Sequence, residues 1–201
     1  MIKNYIFDFG NVLGEFYPER LTAPYVEDLE ERRIVSEVAF DRLYWDRLDD
    51  GSITDEEVKD GIRSRLPKPL AEKGCTVYDN WIRSMTPVPQ MEELIEDIAK
   101  TDKKLFLISN ISTGFAENYG EVQWIDRLFS HFDGLVFSGV VKLLKPHAEI
   151  FEYLLNKYDL KAEECLFIDD NAANIQGAKS AGIGGYLFDG DAKKLREYMN
   201  L

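Results

Sequence analysis

Apolar positions along this chain follow two rhythms. Short runs of consecutive hydrophobic residues, Tyr5 to Phe7, Leu105 to Ser109, Gly134 to Phe137, Cys165 to Asp169 and Gly185 to Phe188, have the length and continuity of strands buried on both faces. Between them apolar residues return every three or four positions. Met91, Leu94, Ile95 and Ile98 form one such set, and Trp124, Ile125, Leu128 and Phe129 another. Glu149 to Tyr158, Ala172 to Ala181 and a last segment through Leu195 continue the pattern. This spacing predicts amphipathic helices. Strand and helix in regular alternation imply an α/β fold with a parallel sheet covered on both faces.

The alternation is interrupted once. From Glu15 to about Met85 no strand-like run occurs, and Tyr25, Val26, Leu29, Ile34, Val35, Val38 and Phe40 recur at helical spacing among many charges. Thr54 followed by Glu57 is a capping-box start, and Pro67 and Pro69 break the pattern before a further helix that carries Trp81. A direct crossover between parallel strands takes a dozen or more residues, and this stretch is several times longer. The chain therefore predicts a Rossmann-like core of residues 1–14 and 87–201 with a helical cap, 15–86, inserted after the first strand.

The strand ends carry the chemistry. Tyr5-Ile6-Phe7 runs into Asp8 and then Gly10 and Asn11; the run through Ile108 closes on Ser109; Leu135-Val136-Phe137 leads on to Lys145; Cys165 to Ile168 closes on Asp169 and Asp170. Open α/β sheets bind their ligands at this carboxyl edge. The endings bring together a carboxylate that can attack, a hydroxyl, a cation and an acid pair suited to a metal. Taken one at a time each has a plainer reading: Ser109 as a strand-end cap, Lys145 as a solvated lysine with Lys142 its nearest rival, one aspartate as the N-cap of the helix near Ala172.

Together these motifs resemble those of the haloacid dehalogenase superfamily, most of whose members are Mg²⁺-dependent phosphohydrolases. The resemblance covers nearly the whole chain, and the Gly10-Asn11-Val12 variant of the first motif is similar to that of the family's sugar-phosphatase branch, α-D-glucose-1-phosphate phosphatase-like. It implies that Asp8 is a nucleophile that forms an aspartyl phosphate. It also implies that Asp8, Asp170 and the Gly10 carbonyl hold Mg²⁺, and that Asp169 and Asn174 orient a metal-bound water. Lys145 would place its charge against the phosphoryl oxygens, Ser109 would donate to one of them, and the backbone amides of Phe9, Gly10 and Asn110 would cradle others.

The family writes DxDx[TV] at the first motif, and here Gly10 stands at the second acid. Glycine cannot protonate a leaving oxygen or deprotonate water. Glu15, Asp46, Asp49 and Asp50 are candidates to take over. The expected function is a Mg²⁺-dependent phosphomonoesterase acting on a small phosphorylated metabolite, for example a sugar phosphate such as glucose 1-phosphate. Two rivals stand beside it: a 2-haloacid dehalogenase, which needs no metal, and a weakly active or non-catalytic phosphate-ligand-binding relative, because Gly10 replaces the acid.

Composition narrows the partners. A formal net charge of −13 argues against a nucleic-acid partner, which is bound through dense Lys and Arg patches. No apolar run approaches the roughly 20 residues of a membrane-spanning helix, so the expected location is the cytoplasm. Cys75 and Cys165 are too few for a disulfide framework or a four-ligand zinc site. His147 reads as a helix-start residue, His131 has no partner at ligand spacing, and Trp45, Trp81 and Trp124 read as packing residues.

Overall fold

The computed structural model describes residues 1–201. Strand β1 (Asn4–Phe7) is followed by β2 (Gly14–Glu15), five helices, α1 (Pro18–Thr22), α2 (Leu29–Ala39), α3 (Arg42–Asp49), α4 (Asp55–Arg65) and α5 (Lys68–Ser84), and β3 (Thr86–Pro87). Then come α6 (Met91–Ala99), β4 (Lys104–Ser109), α7 (Thr113–Asn118), α8 (Gln123–Phe129), β5 (Gly134–Phe137) and α9 (Ser138–Val141). The chain closes with α10 (Ala148–Lys157), β6 (Cys165–Asp169), α11 (Ala172–Ser180), β7 (Gly184–Leu187) and α12 (Ala192–Met199).

The main sheet is five-stranded and parallel throughout, in the order β5-β4-β1-β6-β7. β1 lies at its centre, with Phe7 in register with Leu107 of β4 and Ile168 of β6. Asp8, Ser109 and the two aspartates therefore leave the sheet at one edge.

The unbroken apolar runs have a direct cause. In β1, β4 and β6 alternate residues enter opposite cores: Phe7, Leu105, Leu107, Leu166 and Ile168 join a large cluster, whereas Ile6, Phe106, Ile108, Cys165 and Phe167 join a smaller one against α10 and α11. With both faces of the pleat buried, the middle of each of these strands is left to apolar side chains, and polar ones stand only at the strand ends.

β2 and β3 pair antiparallel over two residues, so the chain leaves and re-enters the core side by side. The helices expected over 15–86 fill the span between them. Thr54 Oγ1 accepts from the Glu57 amide and Glu57 Oε2 from the Thr54 amide, which starts α4 as the sequence predicts. The large cluster runs without a break from the sheet into these helices, through contacts such as the stacking of Trp81 on Phe115 at 5.8 Å between centroids. No helix is long and apolar enough to cross a membrane.

Some boundaries differ from expectation. β7 lies one residue earlier, and α12 runs on to Met199 because Leu195 and Met199 are both buried at helical spacing. Lys145 does not sit at a strand end. β5 stops at Phe137, α9 intervenes, and Lys145 follows in a loop beneath α11.

That loop is wedged against Gly177 on α11, where a Cβ would overlap the Pro146 carbonyl oxygen. Gly177→Ala is expected to cost about 1–3 kcal/mol, because backbone rather than a flexible side chain must yield. A urea titration measures it, and an unchanged midpoint would show that the loop is free to move.

Candidate active site

The turn after β1 is built to hold Asp8 still. The Phe9 carbonyl accepts from the amides of Leu13 and Gly14, and the Asn11 amide donates to the Gly14 carbonyl. Asn11 takes a left-handed conformation, φ 55°, which asparagine tolerates better than most residues, and its Oδ1 accepts the Phe16 amide at 2.9 Å. The Phe9 ring anchors the turn below among Phe115, Trp124 and Phe129, with centroids 5.0 to 6.1 Å away.

Above this turn the predicted residues converge. The buried Lys145 Nζ lies 2.7 Å from Asp8 Oδ1 and 2.8 Å from Asp169 Oδ2. Asn174 Nδ2 donates to both Asp169 oxygens, at 3.1 and 3.0 Å, and the Asn171 amide donates to Oδ1 at 2.7 Å. Carboxylate oxygens of Asp8, Asp169 and Asp170 lie within 4.8 Å of one another, the first two residues buried and Asp170 exposed. Gly10, Ser109 and Asn110 line the same cleft, of about 470 Å³.

Contacts bear on several of the plainer readings. Lys142 lies away from the three carboxylates: its Nζ donates to the Gly51 carbonyl at 2.6 Å. The N-cap of α11 is Asn171, whose Oδ1 accepts the Ala173 amide, so neither aspartate is used as that cap. His147 stands at the start of α10 and makes no capping bond.

Other features lay outside the sequence reading. The Asn110 side chain grips the Lys145 backbone at both ends: Nδ2 donates to its carbonyl and Oδ1 accepts its amide, each at 2.9 Å. No local pattern announces a pair 35 residues apart. The cleft also opens into a smaller chamber of about 160 Å³ walled by Phe16, Phe40, Trp45, Trp81 and Met85. Trp45 and Trp81 are packing residues as expected, but the same rings form this wall. Arg42, exposed on α3, lines both spaces.

Comparison with known proteins gives the family. Residues 2–182 match the haloacid dehalogenase-like hydrolase family. The chain belongs to that family. It is 25% identical over 183 residues to the sesquiterpene phosphatase astK of Aspergillus oryzae, covering 91% of this chain and 88% of that one. It is 28% identical over 189 residues to a phosphorylated carbohydrates phosphatase of Thermotoga maritima, covering 89% and 81%. Two other curated relatives are much longer, and the chain spans 14% and 37% of them. Among solved structures, a haloacid dehalogenase-family enzyme of Bacteroides thetaiotaomicron in complex with magnesium and inorganic phosphate superposes with a TM-score of 0.73 at 23% identity, covering 97% of this chain and 99% of that one.

The electrostatics of this hydrolase fold's edge are unbalanced. Burial pushes the Asp8 carboxyl up, against the pull of the Lys145 ammonium and with the Asp169 charge adding to the rise. Burial works to lower Lys145, but the two carboxylates outweigh it and its ammonium is held above the usual range. Desolvation followed by the Asp169 charge also raises Asp170.

Lys145→Met is expected to destabilise the metal-free protein by about 3–5 kcal/mol, the cost of leaving buried charges without a partner. Because Asp8 is raised above its unfolded value, the stability it contributes is full at acid pH and lost as pH rises. The penalty should therefore be smaller at pH 5 than at pH 8, as thermal melts at the two values would record. Equal penalties would mean that the Asp8 carboxyl is neutral at both values.

Proposed function

We propose that this chain is a Mg²⁺-dependent phosphomonoesterase that works through an aspartyl phosphate on Asp8. The observation that carries the reading is the Lys145 ammonium bridging two buried carboxylates, with a third at hand in the mouth of a polar cleft. Ionised together, three carboxylates against one ammonium leave two negative charges uncompensated, which is the imbalance that burial and mutual repulsion already show in the raised Asp8 and Asp170. A hard, oxygen-only donor set of that charge fits Mg²⁺, held by Asp8, Asp170 and the Gly10 carbonyl, with Asp169 and Asn174 behind them. Bound there, Mg²⁺ supplies the countercharge that lets an anionic ester approach Asp8.

In this reading Asp8 attacks phosphorus, held in line by the Phe9 anchor and by Lys145. Lys145 neutralises developing charge on the equatorial oxygens, while the Ser109 hydroxyl and the amides of Phe9, Gly10 and Asn110 donate to them. Asp169, fixed by Asn171 and Asn174, keeps Lys145 charged and oriented. Residues 15–86 act as the cap over a core of 1–14 and 87–201, and the alcohol portion of the ester occupies the aromatic chamber.

A small phosphorylated metabolite suits the space, and phosphatases among the relatives support it. We favour a sugar phosphate such as glucose 1-phosphate, because a hemiacetal oxygen leaves more readily than an ordinary alkoxide and aromatic walls can pack against a sugar face. A panel of sugar, aryl and isoprenyl phosphates assayed with and without Mg²⁺ tests this. Turnover should require the metal and fall roughly 10³-fold or more in Asp8→Asn, which removes the attacking group. Release of halide from 2-chloropropionate without metal would replace the reading with a dehalogenase.

Metal binding itself has a separate signature. At about 100 times its dissociation constant, Mg²⁺ should stabilise the protein by about 2.7 kcal/mol. Differential scanning calorimetry would show this as a raised midpoint, with a smaller rise in Asp170→Asn. The same rise in both proteins would remove Asp170 from the ligand set.

A further inference from the structure

Glycine at position 10 leaves the first motif without a proton donor, and the two connected spaces of the site indicate where one must act. With the phosphoryl group beside Asp8 and the alcohol portion in the aromatic chamber, the bridging oxygen lies in the neck between them. Gly10, Asn11, Arg42, Asp49, Ser109 and Asn110 line both spaces, and Asp49 is the sole carboxyl group among them.

The other acids near the entrance are engaged or misplaced. Glu15 Oε2 is held by Arg20 at 3.2 Å and by the Thr86 hydroxyl at 3.0 Å. Asp50 Oδ1 accepts the Ser52 amide at 2.7 Å. Asp46 is exposed, paired with Arg42 at 2.8 Å, and lines the cleft without reaching the chamber. Asp49 Oδ1, by contrast, is buried with no hydrogen-bond partner.

Its backbone is pinned from the core side. The Ser138 hydroxyl donates to the Asp49 carbonyl at 2.6 Å while accepting the Ile111 amide at 2.8 Å, so the end of β5 and the loop after β4 fix the end of α3. Asp49 is also the last residue of α3, where the partial negative charge of the helix end disfavours an anion. Burial pushes its carboxyl up to about 7; Arg42 and Lys145 oppose the rise, and Asp46 and Asp8 add to it.

We propose that Asp49 is the general acid and base of this site, in place of the side chain that Gly10 lacks, on the footing that the chain is the phosphomonoesterase described above. As Asp8 attacks phosphorus, the bond from phosphorus to the bridging oxygen breaks and its electron pair goes to the alcohol, which takes the proton from Asp49. The Asp49 carboxylate then removes a proton from water as the water oxygen bonds to phosphorus and the bond from phosphorus to Asp8 breaks. Phosphate departs with Asp49 again protonated and Asp8 free.

The test compares Asp49→Asn with the full-length wild type in Mg²⁺, using a simple alkyl phosphate and p-nitrophenyl phosphate, whose leaving anion needs no proton. For the alkyl ester, kcat/KM should fall by roughly 10²–10⁴-fold. For the nitrophenyl ester it should hold within about threefold, while kcat drops and a burst of nitrophenol appears as the phosphoenzyme accumulates. Asp49→Glu should recover part of the alkyl rate, and Asp49→Ser should repeat the substrate split if the asparagine variant folds poorly. Equal losses of kcat/KM on both esters, or none on either, would overturn the assignment while leaving the phosphatase reading intact. A wild type without metal-dependent turnover would overturn both.

Discussion

One ammonium group between two carboxylates organises this site. Lys145 is almost wholly removed from water, as are Asp8 and Asp169, and each of the three would be costly to bury alone. Their grouping explains the scaffolding nearby: the Asn110 amide on the Lys145 backbone, the Asn174 and Asn171 donors on Asp169, and the close seating of Pro146 against Gly177. None of these contacts faces the cleft as a reacting group. They hold the charges in place, and the excess of carboxylate over ammonium that remains is what the proposed Mg²⁺ would meet.

The sheet makes this arrangement affordable. Because β1, β4 and β6 are in register and send alternate side chains into two separate cores, their ends are fixed to one another through the interior. At the carboxyl ends of these strands the apolar run gives way to polar side chains, which concentrates Asp8, Ser109 and Asp169 on one edge.

Much of this was legible in the sequence because it depends on local pattern. Unbroken apolar runs ending in Asp8, Ser109 and Asp169 reported both the strands and their common edge, and the Thr54 and Glu57 pair reported the start of α4. What was not legible depends on separation along the chain. Lys145 reaches the edge only through α9 and a loop, and the Asn110 grip on it joins residues far apart in sequence. Four acids near the entrance looked equivalent because their differences lie in partners: Arg20, Arg42 and the Ser52 amide occupy three of them, and nothing meets Asp49 Oδ1. Trp45 and Trp81 are legible as packing residues, but not as walls of the chamber, which the same rings also line.

The continuity of the large cluster bears on how molecules come and go. Phe16, Phe40, Trp45, Trp81 and Phe115 interlock across the seam between the helices and the sheet, and the Ser138 and Lys142 contacts rivet the end of α3 to the same seam. Swinging the helices wide would strip several aromatic rings of their neighbours at about 1.5–3 kcal/mol for each ring wetted. A ligand would then come in through the polar cleft that Arg42 and Asp170 line, and its bulk would be limited by a passage that the interlocked rings keep from widening.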